Sequence, residues 1–143
     1  MSSEDPAALT DRLKSEQGRT AFIAVTKDGG HLLRTKPAAA EALADISERQ
    51  RHLDVVQLHA LVLERLLGIS PEAMREQTRV RYLRDAAEAV EQVARLDANA
   101  AFLMNPVSLD QLREVAFAGE VLPQKSTDFF PKLLSGLAIY ALD

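Results

Sequence analysis

Ammonium and hydroxyl groups gather near the end of the chain, in Pro123-Gln124-Lys125-Ser126-Thr127-Asp128-Phe129-Phe130-Pro131-Lys132-Leu133-Leu134-Ser135-Gly136. Lys125 and Lys132 bring positive charge, and Ser126 and Thr127 bring hydroxyls, a set that suits an anion or an acidic partner surface. The stretch from Gly119 to Ser126 comes within one residue of the phosphate-binding loop G-x-x-x-x-G-K-S. Gln124 stands where the second glycine lets the backbone curl around phosphate. That loop also follows a strand and opens a helix, whereas this segment follows a predicted helix and runs into Phe129-Phe130-Pro131. The residues therefore read as a fixed surface loop, its hydroxyls capping the next turn and its aromatics anchoring it.

Other chemistry is sparse. Asp28-Gly29-Gly30-His31-Leu32-Leu33-Arg34 has the residues of a phosphate motif at loose spacing, but it sits in a predicted hairpin turn. His59 lies on the apolar arc of the strongest predicted helix, with His52 projecting the same way about 10 Å along. Histidines that share a zinc ion lie one turn apart, so the pair is no metal site, and His59 is a buried imidazole or a pocket acid or base. No metal site and no cofactor is expected. A G-x-S-x-G elbow is absent, and without cysteine there is no thiolate nucleophile and no disulfide, which suits the reducing cytoplasm. A net charge of −4 argues against broad contact with nucleic acid phosphates. No apolar run reaches the ~18 residues of a membrane span, and the acidic start is unlike a secretory signal.

The elements that must position these groups can be read from pattern and caps. With 143 residues, 47% apolar and 27% charged, the chain suits one globular core. Asp5-Pro6 opens a lead-in helix over 1–18, and one domain occupies 19–143. Thr20 to Val25 and His31 to Lys36 form a hairpin around Asp28-Gly29-Gly30. Ala38 to Arg51 reads as a surface helix. Leu53 to Leu67 is the strongest helix: at 100° per residue Asp54, Gln57, Glu64 and Arg65 share a narrow polar arc. Val55, Val56, Val62, Leu63, Leu66 and Leu67 fill the opposite side. Gly68 ends this helix and Ser70-Pro71 caps a short turn. Then come a strand at Arg79 to Leu83, a capping box at Asp85–Glu88, a strand at Ala100 to Met104, a second box at Ser108–Gln111, and a last strand at Leu137 to Leu142. The expected fold is α+β: a mixed sheet, built of the hairpin and a β-α-β-α-β run, with helices packed on it.

Three segments in order carry a resemblance: Leu53-Asp54-Val55-Val56-Gln57-Leu58-His59, Phe102-Leu103-Met104-Asn105-Pro106, and Pro123 to Gly136. From about Thr20 to Asp143 the chain resembles the carboxyl-terminal part of a large prokaryotic family, domain-of-unknown-function family 1015. Members are longer, and their upstream half carries an Asp-Gly-His-His-Arg motif on a ParB-like fold. Asp28 to Arg34 does not match that motif, so its phosphotransfer chemistry does not pass to any residue here. The resemblance implies a non-catalytic accessory domain that packs on, or completes the site of, a ParB-like partner domain, with Lys125, Ser126, Thr127 and Lys132 as the candidate contacts. Two alternatives stand beside it: a small phosphoryl-transfer or phosphate-ligand enzyme in which Lys125 and Lys132 hold an anion, and a self-associating module, such as a homodimer, with no ligand.

Overall fold

Ala21 to Val25 is an unbroken apolar run, and it forms the middle of a sheet covered on both faces. The computed structural model describes residues 5–123 and 125–127. Strand β1 (Ala21–Thr26) pairs antiparallel with β2 (Gly29–Arg34) and with β3 (Ala100–Met104), in the order β2-β1-β3. Ile23 faces Leu32 and Leu103, while Phe22 faces Leu33 and Met104, so each face of the sheet is apolar at the central strand. The hairpin forms as expected, but its turn residues are Lys27 and Asp28. Positive φ is needed only at Gly29, where φ is 125°.

Helix α1 (Pro6–Lys14) starts where Asp5 accepts the Ala7 N–H, and it buries Leu9 and Leu13. These leucines join Ala21, Ile23, Val25 and Leu103, together with Val90 and Val93 of α5 (Ala86–Ala94), in a layer over the first face. Asp85 caps α5 through the Ala87 N–H at 2.7 Å. Glu88, expected to close a box there, accepts from Gln92 instead. Asn105 donates to the Leu13 carbonyl at 3.0 Å, and Arg34 grips Glu16 with two bonds of 2.9 and 2.6 Å, so the end of α1 is tied to the sheet. The Arg34 hydrogen bonds hold the Glu16 carboxyl below its ordinary value.

The second face carries Phe22, Phe102 and Met104, under Leu58, Val62, Leu63, Ile69 and Met74. Here the chain departs from expectation. Helix α2 (Glu48–Arg51) and helix α3 (Asp54–Gln57) replace the long helix expected over 38–51 and the start of the next one. Pro37–Leu43 is a 3₁₀ segment, and Ser47 restarts the chain as a cap on the Gln50 N–H. A serine side chain competes with the helical backbone and favours such a start. Leu53 is extended, with φ −82° and ψ 130°, so His52 caps the end of α2 and is not on one continuous helix with His59. From Leu58–Leu66 the helix widens to π spacing, and the Leu67 N–H reaches the Val62 carbonyl at 2.9 Å, five residues back. A wider turn rotates less per residue, and the lag grows along the segment. Leu66 and Leu67, placed inward by a 100° rotation, consequently end up 76% and 47% exposed. Gln57, placed outward, is buried and donates to the Arg51 carbonyl at 2.6 Å.

Helix α4 (Pro71–Arg75) is capped by Ser70, and residues 79–83 follow it. This segment is not the expected strand: Val80 packs into the second layer and the Arg81 guanidinium donates to the Asp97 carbonyl at 3.1 Å. Helix α6 (Leu109–Phe117) opens with the complete Ser108–Gln111 box and ends at Gly119, where φ is 71°. Its Val115 closes a third cluster with Leu53, Val55 and Val56. The fold is a single α+β domain. Among the described residues its sheet is antiparallel throughout; the strand expected at 137–142 lies outside them.

Candidate functional site

Three segments that cover the second sheet face meet in a recess of about 250 Å³. The π segment supplies His59, α4 supplies Pro71, Met74 and Arg75, and the 79–83 segment supplies Tyr82. The His59 and Tyr82 rings are tilted, with centroids 6.1 Å apart, and the Tyr82 hydroxyl lies 3.5 Å from His59 Nε2. That separation is at the long end for a hydrogen bond, so neither group is fully satisfied by the other. Burial pushes the His59 imidazole below its ordinary value and the Tyr82 phenol above its own, which keeps both neutral near pH 7.

His59, which the sequence reads as a buried imidazole or a pocket acid or base, is half-buried and lines the recess. Tyr82 and Arg75 were missed by the sequence reading. Tyr82 falls in the stretch that reads as a strand, and Arg75 falls just after Ser70-Pro71, where the sequence marks only a short turn. A tyrosine next to a half-buried histidine is a contact that only the tertiary fold creates.

The lysine–hydroxyl segment lies elsewhere, beyond α6. Glu120 accepts from the Ser47 hydroxyl, from Gln50 Nε2 at 3.0 Å and from Arg49 at 3.4 Å, and Gln50 also donates to the Val121 carbonyl at 3.2 Å. The Ser47 bond, then those of Gln50 and Arg49, hold the Glu120 carboxyl below its ordinary value. Leu122 turns inward onto the third cluster. A turn follows in which the Ser126 N–H meets the Pro123 carbonyl at 3.2 Å, and the Ser126 hydroxyl donates to the same oxygen. Lys125 takes a φ of 64° and is exposed, as is Thr127. Ser126 therefore spends its hydroxyl on its own backbone. Lys132, and with it the expected pairing of Lys125 with Lys132, lies outside the described residues. None of Lys125, Ser126 and Thr127 lines the His59 recess.

Among the described residues no group of three or more histidines and carboxylates could hold a metal ion, and no helix is long and apolar enough to cross a membrane. One carboxyl is out of the ordinary. Asp54 is half-buried at the first position of α3, and its carboxyl has no hydrogen-bond or ion-pair partner among the described residues. Burial pushes its pKa from 3.8 up to about 6. The folded chain then holds this proton more tightly than the unfolded chain, so stability falls as pH rises across that interval and levels off above it. After allowance for its partial exposure, the loss is about 1 kcal/mol. Asp54→Asn should remove that part of the slope and raise stability near neutral pH by about 1 kcal/mol. Urea unfolding of both proteins across the acid range is the check, and identical profiles would show a carboxyl as well solvated as in the unfolded chain.

Comparison with known proteins places no neighbour beside this fold or this recess, and the resemblance read from the sequence gains no support there: no protein-family model, no curated protein and no solved structure matches the chain.

Proposed function

We propose that the chain is a non-catalytic interaction domain that offers α6 and the segment after it to a folded protein partner. The observation behind this reading is a helix with apolar residues on its outer side. Phe117 is 85% exposed, Val121 83% and Leu109 75%. At α-helical spacing Leu109, Arg113, Ala116 and Phe117 fall within an arc of about 100°, opposite the buried Val115. Exposed apolar side chains grouped this way mark contact surfaces more often than single ones do. An aromatic and an arginine side by side are also the residue types that anchor protein interfaces.

Rigidity supports the same reading. The four hydrogen bonds from α2 and its cap Ser47 to Glu120 and Val121 fix the backbone that carries Val121, so little ordering remains to be done on binding. Lys125 and Thr127, exposed just beyond, would form the polar rim. The partner proposed is the ParB-like domain that the resemblance implies, and cytoplasmic placement goes with it. The phosphate-ligand reading has less behind it, because the Ser126 hydroxyl is already committed to the Pro123 carbonyl.

A photo-crosslinking residue at position 117, used in the cell of origin, should capture a ParB-like protein. The same residue at Lys27, on the hairpin turn, should not. A crosslink only to a second copy of this chain would favour the self-associating module, and no crosslink at 117 would overturn the proposal. With the crosslinking residue kept at position 117, Leu109→Asp on the same face should abolish the capture and leave stability within about 0.5 kcal/mol, as for other surface changes.

A further inference from the structure

The recess between the π segment, α4 and residues 79–83 has a composition that the interaction surface on α6 does not use. We propose that it is a binding site for a small organic carboxylate, a monoanion whose charge meets Arg75 and whose short apolar body rests on Met74 and Pro71.

The charge follows from the arginine. Arg75 lines the recess and has no carboxylate partner among the described residues; Arg65 and Arg79 are unpaired in the same way, but neither lines the recess. A guanidinium presents a fork of N–H donors that matches the two oxygens of a carboxylate. The Tyr82 hydroxyl and His59 Nε2 stand 3.5 Å apart, too far for a strong mutual bond, which leaves the hydroxyl able to donate to a third oxygen between or beside them. Among the described residues Arg75 is the one fixed cation of the lining, since burial holds His59 neutral. A second negative charge would find no second cation among the described lining residues, which disfavours a phosphate dianion.

Size and lining limit the rest of the ligand. A volume of about 250 Å³ is below the ~300–1,000 Å³ typical of sites for drug-sized molecules, so the ligand is small. Met74 and Pro71 give it an apolar floor, and Met74 is itself part of the second core layer. A thioether is soft and adaptable, and it packs well against a flat or branched body. The site is separate from the α6 surface, so failure of one reading leaves the other standing.

The test is an NMR titration of the full chain with benzoate, with inorganic phosphate in a parallel arm. Benzoate should shift the ring signals of His59 and Tyr82, with a dissociation constant on the order of 1–10 mM for a ligand of this size. Arg75→Ala should weaken binding about tenfold, and Tyr82→Phe about threefold, through loss of a charge-assisted and of an ordinary hydrogen bond. Lys125→Ala, outside the recess, should change nothing. Arg75 is exposed, so its variant should fold as the parent does, which the amide spectrum reports directly. Absent ring shifts, an unchanged constant in Arg75→Ala, or tighter binding of phosphate than of benzoate would each overturn the proposal.

Discussion

Phe22→Ala is expected to cost about 3–5 kcal/mol and to abolish the His59–Tyr82 recess, the range seen for a buried phenylalanine reduced to alanine. Phe22 is 3% exposed and packs with Leu58, Val62, Leu63, Ile69 and Met74. The helical layer that holds His59 and Met74 in place therefore rests on this ring. Its neighbour Ile23 is fully buried too, but on the opposite face, under α1 and α5. Ile23→Ala should cost about 2–5 kcal/mol and leave the recess intact. Chemical denaturation gives the two stabilities, and the ring signals of His59 and Tyr82 report the recess at low denaturant. Equal disturbance of those signals by both variants would mean that the two faces of β1 are not separate in the way the packing indicates.

A second large effect is expected at the start of the chain. Leu13→Ala should lower stability by about 2–5 kcal/mol, although the residue lies in a helix that the sequence marks only as a lead-in. Leu9 and Leu13 are 5% and 3% exposed and touch the same layer as Ile23 and Val93. A chain starting at Thr20 loses both leucines, the Asn105 bond to the Leu13 carbonyl and the Arg34–Glu16 pair together. It should unfold without a cooperative transition, or at far lower denaturant, by circular dichroism. A truncated chain as stable as the parent would show that α1 adds little to the core.

Much of this fold is legible in local chemistry. The hairpin, β3 and the starts of α1, α5 and α6 follow from turn residues, alternation and side-chain caps, all settled within a few residues of chain. Elsewhere the outcome depends on contacts between distant segments. Residues 79–83 alternate as a strand does, with Val80 and Tyr82 inward. They pair with no strand, because Val80 and Tyr82 hold the segment against the second layer and the recess and not along a border of the sheet. The long helix expected over 53–67 has the right apolar residues, but no local signal announces π spacing, and the widened turn moves Leu66 out to solvent. The same limit applies to the sites. His59 stands out as a histidine on an apolar arc, whereas Arg75 and Tyr82 gain meaning only once α4 and the following segment fold back over it.

The order β2-β1-β3 also has a kinetic side. One border of the central strand is local: Thr26 meets Gly29 across a two-residue turn, and closing so short a loop is fast. The other border joins Thr26 to Ala100, and the whole second layer, from the π segment through α4 to residues 79–83, lies within that loop. Loop-closure entropy must be met before β3 can gain its contacts, and long-range pairing of this kind slows folding. The hairpin can form early and alone. Strand β3 can dock only around an assembled layer, so the recess and the β1–β3 border should be completed in a single late event of folding.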